Sequence, residues 1–313
     1  MFCRKRDKMK KAVILIAHKN PSQINIFLEQ LIADGSTDVY IHINKINEDI
    51  LPCIIDNQHI FIYKNNRVVT WGSDDIIQII MSMLNEIIVK TDHYEYILIR
   101  TGQDLLVRGG LDAFLEEHNG QVFIDCFDYE KNSNLCRARL LYKWPKIFRR
   151  MYNNKYNLIR IARGVRIRLL GKGFPGVKKH ISKDISDMKI YHDLWWCCIP
   201  RDIAVFLNKM WIDNKYIREM YLDSLIPEEC FFSTMIMNSA YKDRIKFVNN
   251  ESETISYKYT QVNNHPPILK MNDIDKIESQ GCFFARKFDK DIDSDIIDYF
   301  SDKIKRYYTL EDN

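Results

Sequence analysis

Short apolar runs alternating with helical patterns limit this chain more than any other feature. Residues 11–17 read KAVILIA, 38–43 DVYIHI, 60–63 IFIY and 94–100 YEYILIR, each bounded by polar residues. Runs of that length, nearly continuous in apolar and β-branched side chains, fit strands covered on both faces. Between them Ile24, Phe27, Leu28, Leu31 and Ile32 recur at helical spacing, and 76–89 forms a longer apolar helix behind Trp71, Gly72 and Ser73. Such alternation predicts an α/β fold with a mostly parallel central sheet and helices on both faces. A length of 313 residues suffices to bury that core as one domain over 1–313.

The alternation then lapses and resumes. After an expected strand at 122–127, residues 131–183 carry 16 Lys and Arg and no Asp or Glu. The whole chain has 46 Lys and Arg against 42 Asp and Glu, so outside this island 30 basic residues meet 42 acidic ones. We expect a basic helical insertion rather than a separate domain. Within it RMYNNKYNLIRIARGVRIRLL mixes arginines with Leu158, Ile161, Val165 and Leu169, as an interfacial helix does. An anionic membrane surface and a solvated face packed on its own domain are both open readings. No helix-turn-helix, zinc-finger or RNA-binding signature accompanies the island, so nucleic acid is not an expected partner.

Beyond the island, LWWCCI at 194–199 reads as a strand and 201–210 as a helix. Consecutive Trp195 and Trp196 in a strand face opposite ways, one to the core and the other free to stack on a sugar ring or base, unless both are core residues. A strand at 245–248, a helix at 273–279 and an amphipathic closing helix within 291–308 complete the pattern. The eight cysteines form no CxxC pair, which favours a reduced, cytoplasmic chain. The apolar run 12–17 is too short for a signal-peptide core, and no run reaches the ~18 residues of a membrane span.

In open α/β sheets ligands gather where strands end. His18, Asn44 and the pair Gln103 and Asp104 all follow strand candidates directly, which outlines a nucleotide-sized crevice. Neither GxGxxG nor GxxxxGK[ST] occurs, so ATP- and NAD-dependent chemistry of the common kinds is not expected. In IPEECFFSTMIMNS, 226–239, Pro227 opens a buried helix at its first position, and Glu228 and Glu229 suit the positive end of its dipole. Either glutamate can be a cap, or one can be a general base at a pocket edge.

Seven segments in order, AHKNP (17–21), VYIHINK (39–45), Trp71-Gly72-Ser73, ILIRTGQD (97–104), LWWCCIPRD (194–202), IPEECFFSTMIMNS and FFARKFD (283–289), give the chain its family resemblance. It resembles the core-2/I-branching β-1,6-N-acetylglucosaminyltransferases, a family that includes peptide xylosyltransferases, across about 12–290. The resemblance implies a GT-A-like nucleotide-sugar-binding fold and an inverting, metal-independent glycosyltransferase. A UDP-sugar is then the donor, GlcNAc first and xylose, glucose or galactose as alternatives, and a saccharide or lipid-linked oligosaccharide the acceptor. Surface polysaccharide assembly at the inner face of a cell membrane is the implied setting. Glu229 matches the family's general base and Lys287 its phosphate-binding lysine, with Arg286 in support. His18, Asn44 and Lys270 are further donor-side candidates; Gln103, Asp104, Trp195, Trp196 and Glu228 are pocket or acceptor-side candidates.

Three positions depart from the family pattern. Asn44 replaces an acidic residue, Pro267 stands near His265 where a second phosphate-binding cation is usual, and Asn249 and Asn250 occupy the place of an acceptor-stacking tryptophan. Rival readings are a metal-dependent transferase using Asp74 and Asp75 or Asp291, Asp293 and Asp295, and a glycoside hydrolase using Glu228 with Glu229. A catalytically degenerate binding module is a third. Adjacent helical residues diverge by about 100° and do not flank one bond, which weighs against the hydrolase.

Overall fold

The computed structural model describes residues 9–64, 67–127, 133–258 and 266–311. Strands β1 (Lys11–Ala17), β2 (Thr37–Ile43), β3 (Ile60–Ile62), β4 (Tyr96–Thr101) and β5 (Cys198–Pro200) form a sheet ordered β3-β2-β1-β4-β5. The first four run parallel, and β5 is antiparallel to β4. Every residue of β1 and β4 is buried, as the unbroken apolar runs require.

Side-chain alternation along the strands divides the core between two faces. Ala12, Ile14 and Ile16 point with Ile97 and Ile99 toward the helices Asp75–Lys90, Arg201–Asp213 and Glu228–Met237. Val13, Leu15 and Ala17 point with Tyr96 and Leu98 toward Pro21–Ile32 and the closing helix Asp295–Glu311. The result is a parallel-dominated sheet between two helical layers.

Three strand expectations need correction. At 122–127 only Cys126–Phe127 pairs regularly, with His192–Asp193, while Val122 and Phe123 make single bridges to Ile245 and Cys198. At 194–199 the extended run starts late, because Trp195 takes a left-handed conformation with φ 45°. Period-two alternation is lost there, so Trp195 and Trp196 do not face opposite ways and join the same core. At 245–248 only Phe247–Val248 remains, in a hairpin with Glu251–Ser252. Its two turn residues, Asn249 and Asn250, have φ 53° and 64°, the paired left-handed geometry that two-residue hairpins need and that asparagine tolerates.

The basic island contains the helices Ser133–Leu140 and Leu158–Gly171, joined around Ala138, Tyr142, Trp144 and Leu170. Several of its cations turn inward. Arg149 is buried between Asp74 and Asp223, Arg137 donates to the Ser186 and Met188 carbonyls, and Lys179 donates to the Met220 carbonyl and Ser224. Asp75 receives the Thr70 amide and the Ser73 hydroxyl, closing the Trp71-Gly72-Ser73 turn. Asp74 and Asp75 therefore both hold structural contacts, Asp74 to Arg149 and Gln78 and Asp75 within the turn. No described helix is long and apolar enough to cross a membrane.

Candidate active site

The chain leaves β1 to one side, for β2, and returns on its other side as β4, so the topological switch point lies between the carboxyl ends of β1 and β4. His18 follows β1 there, and Gly102, Gln103 and Asp104 follow β4. Gly102 N donates to Ile16 O at 3.0 Å, and a Cβ at Gly102 would sit 2.9 Å from the Ala17 Cβ. The glycine is a close-approach residue, not part of a phosphate loop. Asp104 is buried, receiving Thr101 N at 3.2 Å and Thr101 Oγ1 at 2.7 Å. Its Oδ1 lies 3.4 Å from Arg286 Nε, and the Arg286 guanidinium sits 3.7 Å above the Trp196 ring.

Backbone pairing lays the cationic segment along this loop. Phe284–Ala285 runs antiparallel to Leu105–Leu106, and Phe288 N donates to Gln103 O at 2.9 Å. Lys19 pairs with Asp289 at 2.6 Å and the Asn20 amide reaches the same carboxylate, so segments 17–21 and 283–289 close on each other. Desolvation and then the positive charges of Arg286 and Lys19 lower the Lys287 pKa. The His18 imidazole, though partly open to solvent, is also lowered, first by desolvation and then by Lys19, Lys287 and Arg286. Four basic side chains thus share one end of the sheet. Among the described residues no carboxylate pairs with Lys287 within 4 Å.

Glu228 and Glu229 occupy the first turn of the helix Glu228–Met237, immediately behind Pro227 rather than one residue into the helix. Ile226, just upstream, is held at φ 50°, a costly conformation for a β-branched residue. Its N–H donates to Gly72 O at 3.0 Å and its carbonyl accepts from Arg139, which holds that conformation, while Gly72 itself sits at φ 77°, the left-handed region that favours glycine. Glu229 is partly exposed. Its Oε2 receives Arg139 Nη2 at 3.0 Å and lies 3.3 Å from His192 Nε2. Burial pushes the carboxyl up, but Arg139 and His192 outweigh it and hold the pKa near about 2. Glu228 is buried, and burial followed by the Glu229 charge raises it to about 8. One glutamate is therefore a carboxylate at neutral pH and its neighbour a carboxylic acid.

The two halves of the site are joined by one short segment. His192 touches Glu229 and Trp196 underlies Arg286, and four residues of chain separate their Cα atoms by at most about 14 Å. Buried Asp193 fixes that segment, accepting Trp195 N at 2.7 Å and Ser233 N at 2.9 Å from the middle of the Glu229 helix.

Other expected site residues fare differently. Both amide groups of Asn44 are engaged by the Val69 backbone, at 3.0 and 3.1 Å, so its side chain is a structural tie instead of a donor contact. Trp195 is buried in the core. Trp196 is buried too, but bears Arg286, and Gln103 Nε2 is buried with no hydrogen-bond partner among the described residues. Lys270 is exposed and starts a short 3-10 helix, one residue from Leu269, whose N–H donates to Lys287 O. Pro267 is exposed, while His265 lies outside the described residues. Asp293 receives the Met271 and Ile296 amides, and Asp291 receives the Asn20 amide, which is capping and loop closure. Arg139, His192, Asp193 and Lys19 are not among the expected site residues, although Lys19 stands beside His18 in the AHKNP segment and His192 and Asp193 stand next to the paired tryptophans. Among the described residues no group of three or more His, Cys, Asp or Glu side chains is placed to hold a metal ion.

No protein-family model matches the chain, and no curated protein matches it. Among solved structures it is similar to 4-diphosphocytidyl-2C-methyl-D-erythritol synthase from Anaerococcus prevotii, at 12% identity and a TM-score of 0.31, over 67% of this chain and 80% of that one. The chain is an α/β protein with a mostly parallel sheet, and its candidate site residues lie at the β1–β4 switch point and at the head of the Glu229 helix.

Proposed function

We propose that this chain is an inverting, metal-independent glycosyltransferase of GT-A-like fold, moving a sugar, in the first instance GlcNAc, from a UDP-sugar to a saccharide hydroxyl. The resemblance of the seven ordered segments supplies the reaction class. The observation that carries the reading is the tethering of an ionised, partly exposed carboxylate and a cationic cluster to opposite ends of residues 192–196, beside the switch point.

In this reaction the acceptor O–H gives its proton to Glu229 as its oxygen attacks the anomeric carbon. The bond from that carbon to the phosphate oxygen breaks on the opposite face, and its electron pair leaves on UDP. A single displacement inverts an α-linked donor into a β-linked product. Charge developing on the departing diphosphate meets Lys287 and Arg286, with Lys19 and His18 nearby, the role a divalent cation performs elsewhere. Asp104 and the Trp196 ring hold the Arg286 guanidinium in place.

A second reading is favoured by one observation: Arg139 already occupies the Glu229 carboxylate, and a base with so low a pKa takes protons poorly. On that reading the chain binds a sugar nucleotide without transferring the sugar. Incubation with a panel of UDP-sugars and saccharide acceptors in EDTA separates the two. Acceptor-dependent UDP release that falls about 100-fold or more in Glu229→Gln supports transfer. UDP binding with no release from any donor supports the binding module, and neither binding nor release overturns both.

A further inference from the structure

The helix Leu158–Gly171 has one face that the protein itself covers and one that it does not. On the covered face Ile167 and Leu170 pack against the Tyr142 and Trp144 cluster, and Arg163 donates to the Phe148 and Arg150 carbonyls while lying over Trp71. On the other face Leu158, Ile161, Val165 and Leu169 are 80, 48, 48 and 40% exposed. At 100° per residue these four fall within an arc of about 80°. They form a single aliphatic stripe, bordered by exposed Arg168 and Lys172.

We propose that this stripe lies in the headgroup region of an anionic membrane, with Arg168 and Lys172 on lipid phosphates. Charge selects that occupant. The island holds 16 basic and no acidic residues over 131–183, and Arg168 and Lys172, both exposed, flank the stripe on its own helix and cap. A second copy of the chain brings an identical uncompensated positive surface to the same face and is repelled. A nucleic acid matches the charge but leaves four aliphatic side chains in water, whereas a bilayer satisfies both. The remainder of the chain, with 30 basic and 42 acidic residues, is repelled by the same surface, which fixes the orientation. Leu135 and Asn134 of the helix that carries Arg139 pack against Gly171, so the stripe lies one helix away from Glu229.

Co-sedimentation of the full chain with vesicles tests this. Binding is expected to phosphatidylcholine vesicles containing about one-third phosphatidylglycerol, far above that to phosphatidylcholine alone, and release is expected in about 0.5 M salt. Arg168→Gln with Lys172→Gln lowers the affinity by about 30-fold, and Ile161→Ser with Val165→Ser by on the order of tenfold. All four positions are exposed, so an unchanged thermal melt separates loss of binding from loss of fold. Equal partitioning into neutral and anionic vesicles, no binding to either, or full binding by the stripe variant overturns the proposal. So does self-association by light scattering that the stripe variant abolishes, which assigns the face to a second copy. Binding of an oligonucleotide duplex that the stripe variant retains, without vesicle binding, assigns it to nucleic acid.

Discussion

Arg139 Nη2 lies 3.0 Å from Glu229 Oε2, so the basic island supplies the counter-ion of the carboxylate proposed as the base. The same guanidinium bonds the Leu225 and Ile226 carbonyls, holding the strained approach to the Glu229 helix. A charge-assisted pair formed this way positions a carboxylate and also weakens it as a proton acceptor.

From that relationship follows a pH signature. With its pKa held at about 2, Glu229 is ionised across the neutral range, and any acid limb of turnover that it controls lies far below neutrality. In Arg139→Met the counter-charge is gone and burial pushes the carboxyl up. The acid limb should then move upward by one pH unit or more, on the order of 1.4 kcal/mol of altered proton affinity. The associated stability term, present above the ordinary carboxylate pKa and lost as pH falls toward 2, should shrink as well. An unmoved limb in the variant's UDP-release profile assigns the base elsewhere.

Lys287 is half-buried among Arg286, Lys19 and His18, with its ammonium destabilised by desolvation and like charge. Such a cluster is stabilised by an anion. Lys287→Met should weaken UDP binding by roughly 10- to 100-fold, the worth of one charge-assisted hydrogen bond, while raising the melting temperature of the UDP-free protein slightly. Titration calorimetry with UDP gives the first number and a thermal melt the second. Unchanged affinity would mean that the diphosphate is held elsewhere.

Gly102 links packing to the site. A methyl group there meets Ala17 Cβ at 2.9 Å and Ile24 Cγ1 at 3.2 Å, both on buried elements that cannot swing aside. Gly102→Ala should cost about 1–3 kcal/mol by overpacking and displace the Gln103 and Asp104 loop that sets Arg286. A lower melting temperature together with weaker UDP binding is expected; a loss of either one alone breaks the link.

The strands β1 to β4 and their helices were legible because a doubly buried strand must be written almost wholly in apolar residues, and an amphipathic helix must repeat its apolar positions. Residues 194–199 were misread for the opposite reason. Their apolar run is as continuous as that of β1, but Asp193 captures Trp195 N and the chain turns left-handed, which no periodicity announces. Asn44 looked like a ligand contact because it follows a strand, yet its amide mimics a backbone pairing with Val69. Arg139 was hidden among sixteen like charges, and only the folded geometry distinguishes the one that reaches Glu229 from those facing solvent.

Glu228 offers the sharpest control on which glutamate matters. It is 4% exposed, its Oε2 has no hydrogen-bond partner among the described residues, and burial with the neighbouring charge raises it to about 8. The folded state therefore keeps a proton that the unfolded chain releases near the ordinary carboxylate pKa. Stability must fall as pH rises from about 4.5 toward 8 and then level off. Glu228→Gln is nearly isosteric with the protonated acid and cannot ionise. Its melting temperature should match the unsubstituted protein near pH 5 and exceed it by several degrees at pH 8, given roughly 2–4 °C per kcal/mol. At neutral pH, where Glu228 is already uncharged, UDP release by this variant should stay within about threefold of the unsubstituted rate, in contrast to the collapse expected of Glu229→Gln. If instead Glu228→Gln abolishes release and Glu229→Gln spares it, the two carboxyls exchange roles and the base is the buried one.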